Sequence, residues 1–309
     1  TTMLGRIERK IIFMKNYPKY FTDEEQLEEA LSRPSIELIS MMRELDGDFI
    51  LLGVAGKMGV SMARMLKRAC IEAGVQKRIF GVSRFSSSKQ QLFLEESGIE
   101  TLKGDLLDIG FVENLPHVKN VIYLAGMKFG TDGNESLTWA MNSFLPGLIA
   151  EKFKNSRIVA FSTGCVYPLV SVASGGSKES DATGPIGEYA QSCLGRERLF
   201  EYGSIKNNTR LILIRLNYAV EMRYGVLVDV ATKVYNNETI DLNMGYANVI
   251  WQGDANDMIL RSILHCESPP KNLNISGSET ISVKEVAKQF AKLMNKNVKF
   301  SGQEADSAL

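Results

Sequence analysis

The hydrophobic positions of the chain fall into short apolar runs separated by amphipathic stretches. Several of these stretches have apolar residues three and four positions apart, which is typical of helices, whereas the runs are short enough for strands. Strands that alternate with helices form parallel sheets covered on both faces. The pattern predicts an α/β protein with a doubly wound parallel sheet, whose strands lie at 48–53, 79–83, 120–125, 157–162, 210–216 and 272–276.

The first predicted strand is preceded by a polar and charged segment, residues 1–45, with two predicted helices. The run Thr22-Asp23-Glu24-Glu25 has the side chains that cap a helix N-terminus, and leucines follow at helical spacing. Pro34 is typical of the start of a second helix, which should end at the turn dipeptide Asp46-Gly47. This helical extension is expected to cap the sheet edge, enlarge a dimer or contact a partner, and the sequence leaves these alternatives open.

The composition is typical of a globular protein with a small-molecule partner. At 309 residues, 44% hydrophobic and 23% charged, the chain is long enough for one large core or for a core and a smaller lobe. Lys plus Arg and Asp plus Glu both number 36, so no net charge favours nucleic acid or an anionic membrane surface. No apolar run reaches the roughly 18 residues of a membrane span, and the N-terminal residues lack the apolar region of a signal peptide.

The four cysteines are far apart in the sequence and follow neither metal-ligand nor disulfide spacing. They are Cys70, Cys165, Cys193 and Cys266. We therefore expect reduced thiols, no metal site and a cytoplasmic location.

A glycine-rich turn connects the first predicted strand to a helix. Gly53, Gly56 and Gly59 flank Lys57 and Met58, and the helical pattern starts immediately after them. Glycines at these positions allow a tight turn and let a pyrophosphate approach the helix N-terminus, where free N–H groups and the dipole favour anions. These five residues are candidate cofactor contacts, although a tight turn without a ligand would need the same glycines.

The next predicted strand ends in Ser83 and Arg84, about where an NAD site has an acidic residue for the ribose 2′-hydroxyl. A serine and an arginine suit a ribose 2′-phosphate instead. The sequence therefore favours NADP over NAD, with a solvated arginine at a strand end as the alternative.

Four further motifs follow along the chain: Gly104-Asp105-Leu106-Leu107-Asp108, Tyr123-Leu124-Ala125-Gly126, Phe161-Ser162-Thr163-Gly164-Cys165-Val166-Tyr167-Pro168 and Gly187-Glu188-Tyr189-Ala190-Gln191-Ser192-Cys193-Leu194. With the glycine turn, they resemble the extended short-chain dehydrogenases, the epimerase and dehydratase family acting on nucleotide sugars. The resemblance runs from about residue 48 to the C-terminus. It implies a Rossmann-type fold with a small C-terminal substrate lobe, a nicotinamide cofactor and a homodimer.

The same resemblance assigns roles to individual residues. The implied catalytic pair is Thr163 and Tyr189, of which Thr163 also contacts the substrate. Further cofactor contacts, at the adenine turn and along the strand ends, are implied for Asp105, Leu106, Leu124, Ala125, Gly126, Lys128, Ser162 and Tyr189.

The main departure from the family is Cys193, which occupies the place of the lysine in the Tyr-x-x-x-Lys pair. A phenol with a pKa of about 10 acts as acid or base at neutral pH only when its ionised form is stabilised, as the lysine would do. A cysteine is neutral and a weak donor. Lys128 and then Arg196 are candidate compensating cations, with a surface charge or a salt bridge as the alternative for each. A thiolate nucleophile at Cys193 is a further alternative.

The predicted substrate side begins where the strand at 210–216 ends. Asn217 resembles the family's asparagine near the substrate phosphates, and Arg223 suits a phosphate or carboxylate, with an ion pair to Glu221 as the alternative. The predicted domains are a helical extension (1–45), a dinucleotide-binding domain (46–217, its sheet completed by about 248–278) and a small substrate lobe (218–247 and 279–309). A truncation of this lobe at its C-terminus stays open.

Two functions are compatible with these features. The first is an NAD(P)-dependent oxidoreductase, epimerase or dehydratase acting on a sugar or nucleotide sugar, in which Tyr189 removes a hydroxyl proton while a hydride passes to the nicotinamide. The second is a sensor or scaffold that binds the cofactor without the redox step, because Cys193 replaces the lysine. The retained Thr163 and Tyr189 favour the enzyme. The sugar and the reacting carbon are not predicted, because loops without a motif determine both.

Overall fold

The computed structural model describes residues 18–304 and 307–308, so the predictions for residues 1–17 lie outside the described residues. The strands are β1 (Phe49–Leu52), β2 (Ile79–Ser83), β3 (Glu100–Lys103), β4 (Asn120–Tyr123), β5 (Arg157–Thr163), β6 (Val170–Ser171), β7 (Leu211–Leu216), β8 (Ala219–Val220), β9 (Thr239–Asp241), β10 (Tyr246–Asn248), β11 (Ile250–Trp251), β12 (Lys271–Ile275), β13 (Thr280–Ser282), β14 (Lys299–Ser301) and β15 (Ser307–Ala308).

The helices are α1 (Glu24–Leu31), α2 (Ile36–Glu44), α3 (Gly59–Ala73), α4 (Ser88–Glu96), α5 (Ile109–Glu113), α6 (Glu135–Trp139), α7 (Leu145–Lys152), α8 (Gly187–Asn207), α9 (Val226–Tyr235), α10 (Gln252–Arg261) and α11 (Val283–Met294). A π-helix, Ala140–Phe144, joins α6 to α7, and short 3₁₀ turns lie at Gly164–Val166, Val172–Ser174 and Ser262–His265. Within residues 18–304 and 307–308, no helix has both the length and the apolar character needed to cross a membrane.

Seven strands form a parallel central sheet in the order β12-β7-β5-β4-β1-β2-β3. Phe49 at the start of β1 is level with Ile79 of β2 on one side and with Asn120 of β4 on the other. The strand order reverses between β1 and β4, and ligands of such sheets bind at the carboxyl ends of the strands at this switch point. The predicted doubly wound parallel sheet is confirmed.

Both faces of the sheet are buried under helices. Leu51 of β1 packs in an apolar cluster with Met62 of α3, whereas the next residue, Leu52, belongs to a cluster on the opposite face with Phe200 of α8. Successive side chains of a strand point to opposite faces. A strand buried on both sides therefore has a continuous apolar run, which is why the sequence identified β1.

The helical extension forms an additional layer of the core on one side of the sheet. Asp23 caps α1 by accepting from the backbone N–H of Gln26, and Ser35 caps α2 by accepting from that of Leu38. Leu38 and Met42 are fully buried in the cluster that contains the α3 side chains. Helices α1 and α2 pack against α3 and α10, so the described part of the extension covers the helix layer on this side of the sheet.

One strand of the sheet, β3, was missed by the sequence pattern. It lies at the sheet edge, and none of its four residues is buried. An apolar run does not mark such a strand. The other six strands begin and end within two residues of the predicted ranges.

The C-terminal part contributes a smaller cluster with its own apolar contacts. Val230 and Val234 of α9 pack with Ala287 of α11 and with Ile240 of β9. Strand β14 pairs parallel with β9, and β10 pairs antiparallel with β13. These elements lie within the ranges predicted for the small lobe, except that β10 extends to Asn248.

Candidate active site

Most of the predicted site residues lie at one edge of the central sheet. Because its strands are parallel, the residues that end or directly follow them meet at the same edge. Gly53 follows β1, Arg84 follows β2, Leu124 follows β4, Thr163 ends β5 and Asn217 follows β7. This edge contains the switch point between β1 and β4.

The glycine turn brings its backbone against the end of β4. Gly53 has a φ of +92°, and a Cβ atom on it would lie 2.8 Å from the backbone nitrogen of Ala125. A Cβ atom on Gly59 would lie 2.2 Å from the carbonyl oxygen of Val54. Gly56 is exposed. The structure therefore requires glycine at the first and last positions for packing, and leaves the middle position open to solvent.

The N-terminus of α3 suits an anion. Met58 occupies the cap position without a side-chain hydrogen bond to the helix, and the first turn contains no acidic residue. The N-terminal N–H groups and the positive end of the dipole are thus not neutralised by a side chain of the described residues. Such a terminus, preceded by an exposed glycine, fits a phosphate group.

Two lysine side chains lie beside the aromatic ring of Phe129. The Lys57 ammonium lies 4.8 Å from the centre of this ring and 4.2 Å from that of Tyr224. The Lys128 ammonium lies 5.7 Å from the Phe129 ring centre. Both lysines are exposed, so they add positive charge to the surface beside the glycine turn.

The predicted adenine side is formed by the ends of β2 and β3. The carbonyl oxygen of Ser83 accepts from the N–H of Gly104 at 3.1 Å, which holds the two strand ends together. Asp105 accepts from the N–H of Leu107 at 3.0 Å, and Leu106 is buried. The Arg84 side chain is exposed beside them.

The Thr163 hydroxyl and the Tyr189 phenol lie close together at the end of β5. Tyr189 lies in the first turn of α8, and its phenol is near enough to the Thr163 hydroxyl to interact with it. Burial raises the pKa of Tyr189, as does the neighbouring Cys193 thiol, whereas the Arg196 guanidinium and the Thr163 hydroxyl lower it. The structure thus places close together Thr163 and Tyr189, the hydroxyl and the phenol that the family resemblance implies as the catalytic pair.

Cys193 lies one turn after Tyr189 and is completely buried, with 0% of its surface exposed. It packs with Val166 and Tyr167. Burial raises the pKa of the Cys193 thiol, so it is protonated at neutral pH. The alternative of a thiolate nucleophile is therefore disfavoured, because a nucleophile needs an accessible thiolate.

Ser162, a predicted cofactor contact, has a buried partner within the protein. Its hydroxyl donates to the carboxylate of Glu197 at 2.5 Å. Glu197 in turn forms a buried ion pair with Arg215, at 2.8 Å. The Arg215 guanidinium also donates to the Tyr167 hydroxyl at 2.7 Å. Ser162 thus belongs to an internal network beneath the site.

The two predicted substrate residues have different surroundings. Asn217 lies beside Gly164, with its Oδ1 atom 3.7 Å from the position of a Cβ atom there, and is thereby next to Thr163. Arg223 instead forms ion pairs with Glu221 at 3.0 Å and with Glu28 of the extension at 2.6 Å. The ion-pair alternative is therefore favoured for Arg223, whose charge is neutralised from both sides.

Asn142, which no sequence motif indicated, lies in the π-helix and is fully buried. Its side chain accepts from the N–H of Met127 at 2.8 Å and donates to the carbonyl oxygen of Met127 at 2.9 Å. It therefore fixes the segment that follows β4. A single asparagine among apolar residues was the only sequence signal, and such a signal does not identify the partner.

Arg196 is buried directly beneath this segment, with 6% of its surface exposed. Its Nη1 atom donates to the carbonyl oxygen of Phe161 at 2.9 Å, and its Nη2 atom donates to Oδ1 of Asn142 at 2.6 Å. A Cβ atom on Gly126 would lie 2.3 Å from Nη2. The guanidinium thus lies between the ends of β4 and β5.

Solved structures match most of the chain, whereas no protein-family model and no curated protein matches its sequence. The epimerase Mth375 of Methanothermobacter thermautotrophicus is 18% identical, with a TM-score of 0.71 over 88% of this chain and 84% of that one. WbmG of Bordetella bronchiseptica, solved with NAD and UDP, is 16% identical, with a TM-score of 0.69 over 86% of each chain.

A third match is the UDP-glucuronic acid 4-epimerase of Bacillus cereus, solved with NAD. It is 14% identical, with a TM-score of 0.67 over 82% of this chain and 87% of that one. At these identities the likeness shows the fold. The chain therefore has the fold of these epimerases.

Proposed function

We propose that the protein is a nicotinamide-dependent epimerase, dehydratase or oxidoreductase acting on a nucleotide sugar. The observation that carries the proposal is the proximity of the Thr163 hydroxyl to the Tyr189 phenol, at the same sheet edge as the glycine turn. A hydroxyl and a phenol close together can bind one substrate oxygen, and the phenol can exchange a proton with it. The matched epimerases have this fold and are named for this reaction class.

The residues of the glycine turn fit the diphosphate of a dinucleotide. The turn has no room for side chains at Gly53 and Gly59, leaves Gly56 exposed and leads into an uncapped helix N-terminus. The backbone N–H groups around Lys57 and Met58 would hold the diphosphate. The bound nicotinamide would supply a hydride acceptor and donor, and the chain would orient the substrate and move the proton.

Each polar side chain near the end of β5 has a proposed task. Tyr189, as its phenolate, would accept the proton of a substrate hydroxyl while the hydride of the carbon that bears it passes to the nicotinamide. Thr163 binds the same substrate oxygen. Asn217, beside Gly164, orients the sugar nucleotide. Lys57 and Lys128 favour an anionic, phosphorylated ligand through their exposed charges.

For the cofactor we favour NADP. Arg84 directly follows β2 and is exposed, and among the described residues its guanidinium has no hydrogen-bond or ion-pair partner. A guanidinium with unused donors suits a ribose 2′-phosphate. The WbmG and UDP-glucuronic acid 4-epimerase structures contain NAD, so the preference for NADP rests on Ser83 and Arg84 of this chain.

A homodimer and a cytoplasmic location complete the proposal. Leu199, Tyr202 and Ile205 follow one another at three-residue spacing on α8 and are 37%, 66% and 57% exposed. Large apolar side chains clustered on one helix are typical of an interface, and a second copy of α8 would cover them. All four cysteines are free thiols, which suits a reducing compartment.

Turnover of a panel of UDP-sugars with NADP and NAD tests the proposal. Net oxidation is followed by the absorbance of the reduced nicotinamide, and epimerisation by NMR of the sugar. Tyr189→Phe should lower turnover at least ~100-fold without weakening cofactor binding, since general acid–base catalysis contributes that much. Tyr235→Phe, at an exposed position of α9, is the matched control and should keep full turnover.

Binding without turnover of any sugar would instead support the second candidate, a cofactor-binding sensor or scaffold. The replacement of the lysine by the buried Cys193 is the observation that favours it. Cys193→Lys would then be expected to create turnover that the natural chain lacks.

A further inference from the structure

The Tyr189 phenol needs a positive charge that neither the residue one turn away nor the loop lysine provides. Cys193 is uncharged and buried among apolar side chains. Lys128 is exposed, and its ammonium lies beside the Phe129 ring. A phenol has an ordinary pKa of about 10, so proton transfer at neutral pH requires a cation that stabilises the phenolate.

Arg196 holds a guanidinium at the place where such a charge would act. It lies two turns after Tyr189 on α8, and its side chain reaches the ends of β4 and β5. Phe161, whose carbonyl oxygen accepts from Nη1, precedes Thr163 by two residues. The backbone of Gly126 covers Nη2 so closely that no Cβ atom would fit between them. The charge therefore lies directly below the exposed surface of the site.

The acceptors around the Arg196 guanidinium are neutral. They are the carbonyl oxygen of Phe161 and the carbonyl and side-chain oxygens of Asn142. The adjacent Glu197 is paired with Arg215 instead. Among residues 18–304 no carboxylate forms an ion pair with Arg196. A buried cation without a counter-ion is costly to a fold, and its field is not cancelled by a neighbouring acid.

We propose that the Arg196 guanidinium supplies the positive charge for the Tyr189 phenol that Cys193 cannot supply. The inference rests on the proposed function, in which Tyr189 exchanges a proton with the substrate. Arg196 is a positioning residue, since it acts on the substrate only through this phenol. Asn142 holds the guanidinium in place, and Gly126 leaves it the necessary room.

Burial raises the pKa of the Tyr189 phenol most, and the groups that act on it come from α8, from β5 and from the turn after β5. On α8 these are Cys193, which raises its pKa, and Arg196, which lowers it; the turn after β5 adds Cys165, which raises it. The Thr163 hydroxyl of β5 lowers it. Arg196 is thus the cation among them, and its removal should make the phenol harder to ionise.

The test is the ionisation of Tyr189, followed by NMR of carbon-labelled tyrosine in the protein with NADP bound. Tyr189→Phe identifies the signal. Two substitutions abolish the effect of the positive charge in different ways. The first removes the guanidinium, and the second neutralises it. Arg196→Gln keeps a donor for the carbonyl oxygen of Phe161, and Asn142→Asp places a carboxylate beside an intact guanidinium. Arg198→Gln, an exposed position on the same helix, is the control.

Arg196→Gln and Asn142→Asp should each move the ionisation of Tyr189 to higher pH by about one unit or more, as expected for an opposite charge at short range. Arg198→Gln should leave it unchanged, and Arg196→Lys should keep most of the effect. In an active enzyme the rising limb of the pH profile of kcat should shift in the same direction.

The inference would be overturned if Tyr189 ionises at the same pH in the unmodified protein, in Arg196→Gln and in Asn142→Asp. It would also be overturned if the phenol does not ionise before the unmodified protein unfolds. Absence of NADP and NAD binding would contradict the proposed function instead. The titration then proceeds without the cofactor and still decides the influence of Arg196.

Discussion

A Cβ atom on Gly126 would lie 2.3 Å from Nη2 of Arg196 and 2.9 Å from Oδ1 of Asn142. The end of β4 is therefore packed directly against the buried guanidinium, and the absence of a side chain at residue 126 is what allows it. The backbone at Gly126 and the Arg196 guanidinium therefore pack as one unit.

Gly126→Ala is expected to destabilise the protein by about 1–3 kcal/mol, because the added methyl group must displace the guanidinium or the asparagine. Chemical denaturation measures this. Gly147→Ala is the control, since its Cβ atom would meet only the end of the Leu199 side chain, at 3.1 Å. Equal unfolding free energies for the two variants would contradict the packing described for Gly126.

Arg84→Ala should weaken NADP binding about tenfold or more and leave NAD binding unchanged. The physical reason is the loss of charged hydrogen bonds to the 2′-phosphate, each contributing roughly 1.5–3 kcal/mol. Calorimetric titration with both dinucleotides measures it, with NAD as the internal control. An equal loss for both, or tighter binding of NAD by the natural chain, would refute the NADP preference.

One of the four cysteines should react rapidly with a thiol reagent. Cys165 is exposed in the turn after Thr163, whereas Cys70, Cys193 and Cys266 are buried. Burial raises the pKa of these three, that of Cys266 to about 12, so they are protonated and inaccessible. We expect one fast equivalent per chain, which Cys165→Ser removes and bound cofactor slows. A fast phase that persists in Cys165→Ser would place a reactive thiol elsewhere.

A charge on the exposed face of α8 should prevent the dimer. Tyr202→Glu would bring a carboxylate against its copy in the partner chain, and we expect sedimentation to show a monomer. Ile71→Glu is the control, because Ile71 on α3 has the same 66% exposure as Tyr202. If both variants sediment like the unmodified protein, α8 is not the interface.

The fold was largely predictable from local patterns. The apolar run of β1 is visible because both faces of that strand are buried, and Asp23 and Ser35 precede their helices in the usual way. Strand β3 was not predictable, because an edge strand with exposed residues has no such run. The Thr163 and Tyr189 pair was predicted from motifs, and the structure places the two close together.

The partners of other site residues were not predictable, because they come from distant parts of the chain. Arg223 is paired with Glu28 of the extension, which no local pattern links to it. Ser162 donates to Glu197, a residue on a different element. The neutral surroundings of Arg196 depend on Asn142, which approaches from the π-helix. Such long-range pairings follow from the packing of helices on the sheet.

A dinucleotide site at the glycine turn can be tested by calorimetric titration of the natural chain and of Gly56→Asp with NADP and NAD. Gly56 is exposed, and its Cβ position lies 3.3 Å from the nearest atom, the carbonyl oxygen of Gly53. An aspartate there should fold but repel the diphosphate. The control, Gln289→Glu, adds a negative charge on an exposed position of α11.

We expect saturable binding of at least one of the two dinucleotides to the natural chain and to Gln289→Glu, and loss of this binding in Gly56→Asp. No binding of either dinucleotide to the natural chain, or equal binding to a folded Gly56→Asp variant, would contradict a dinucleotide site at the glycine turn.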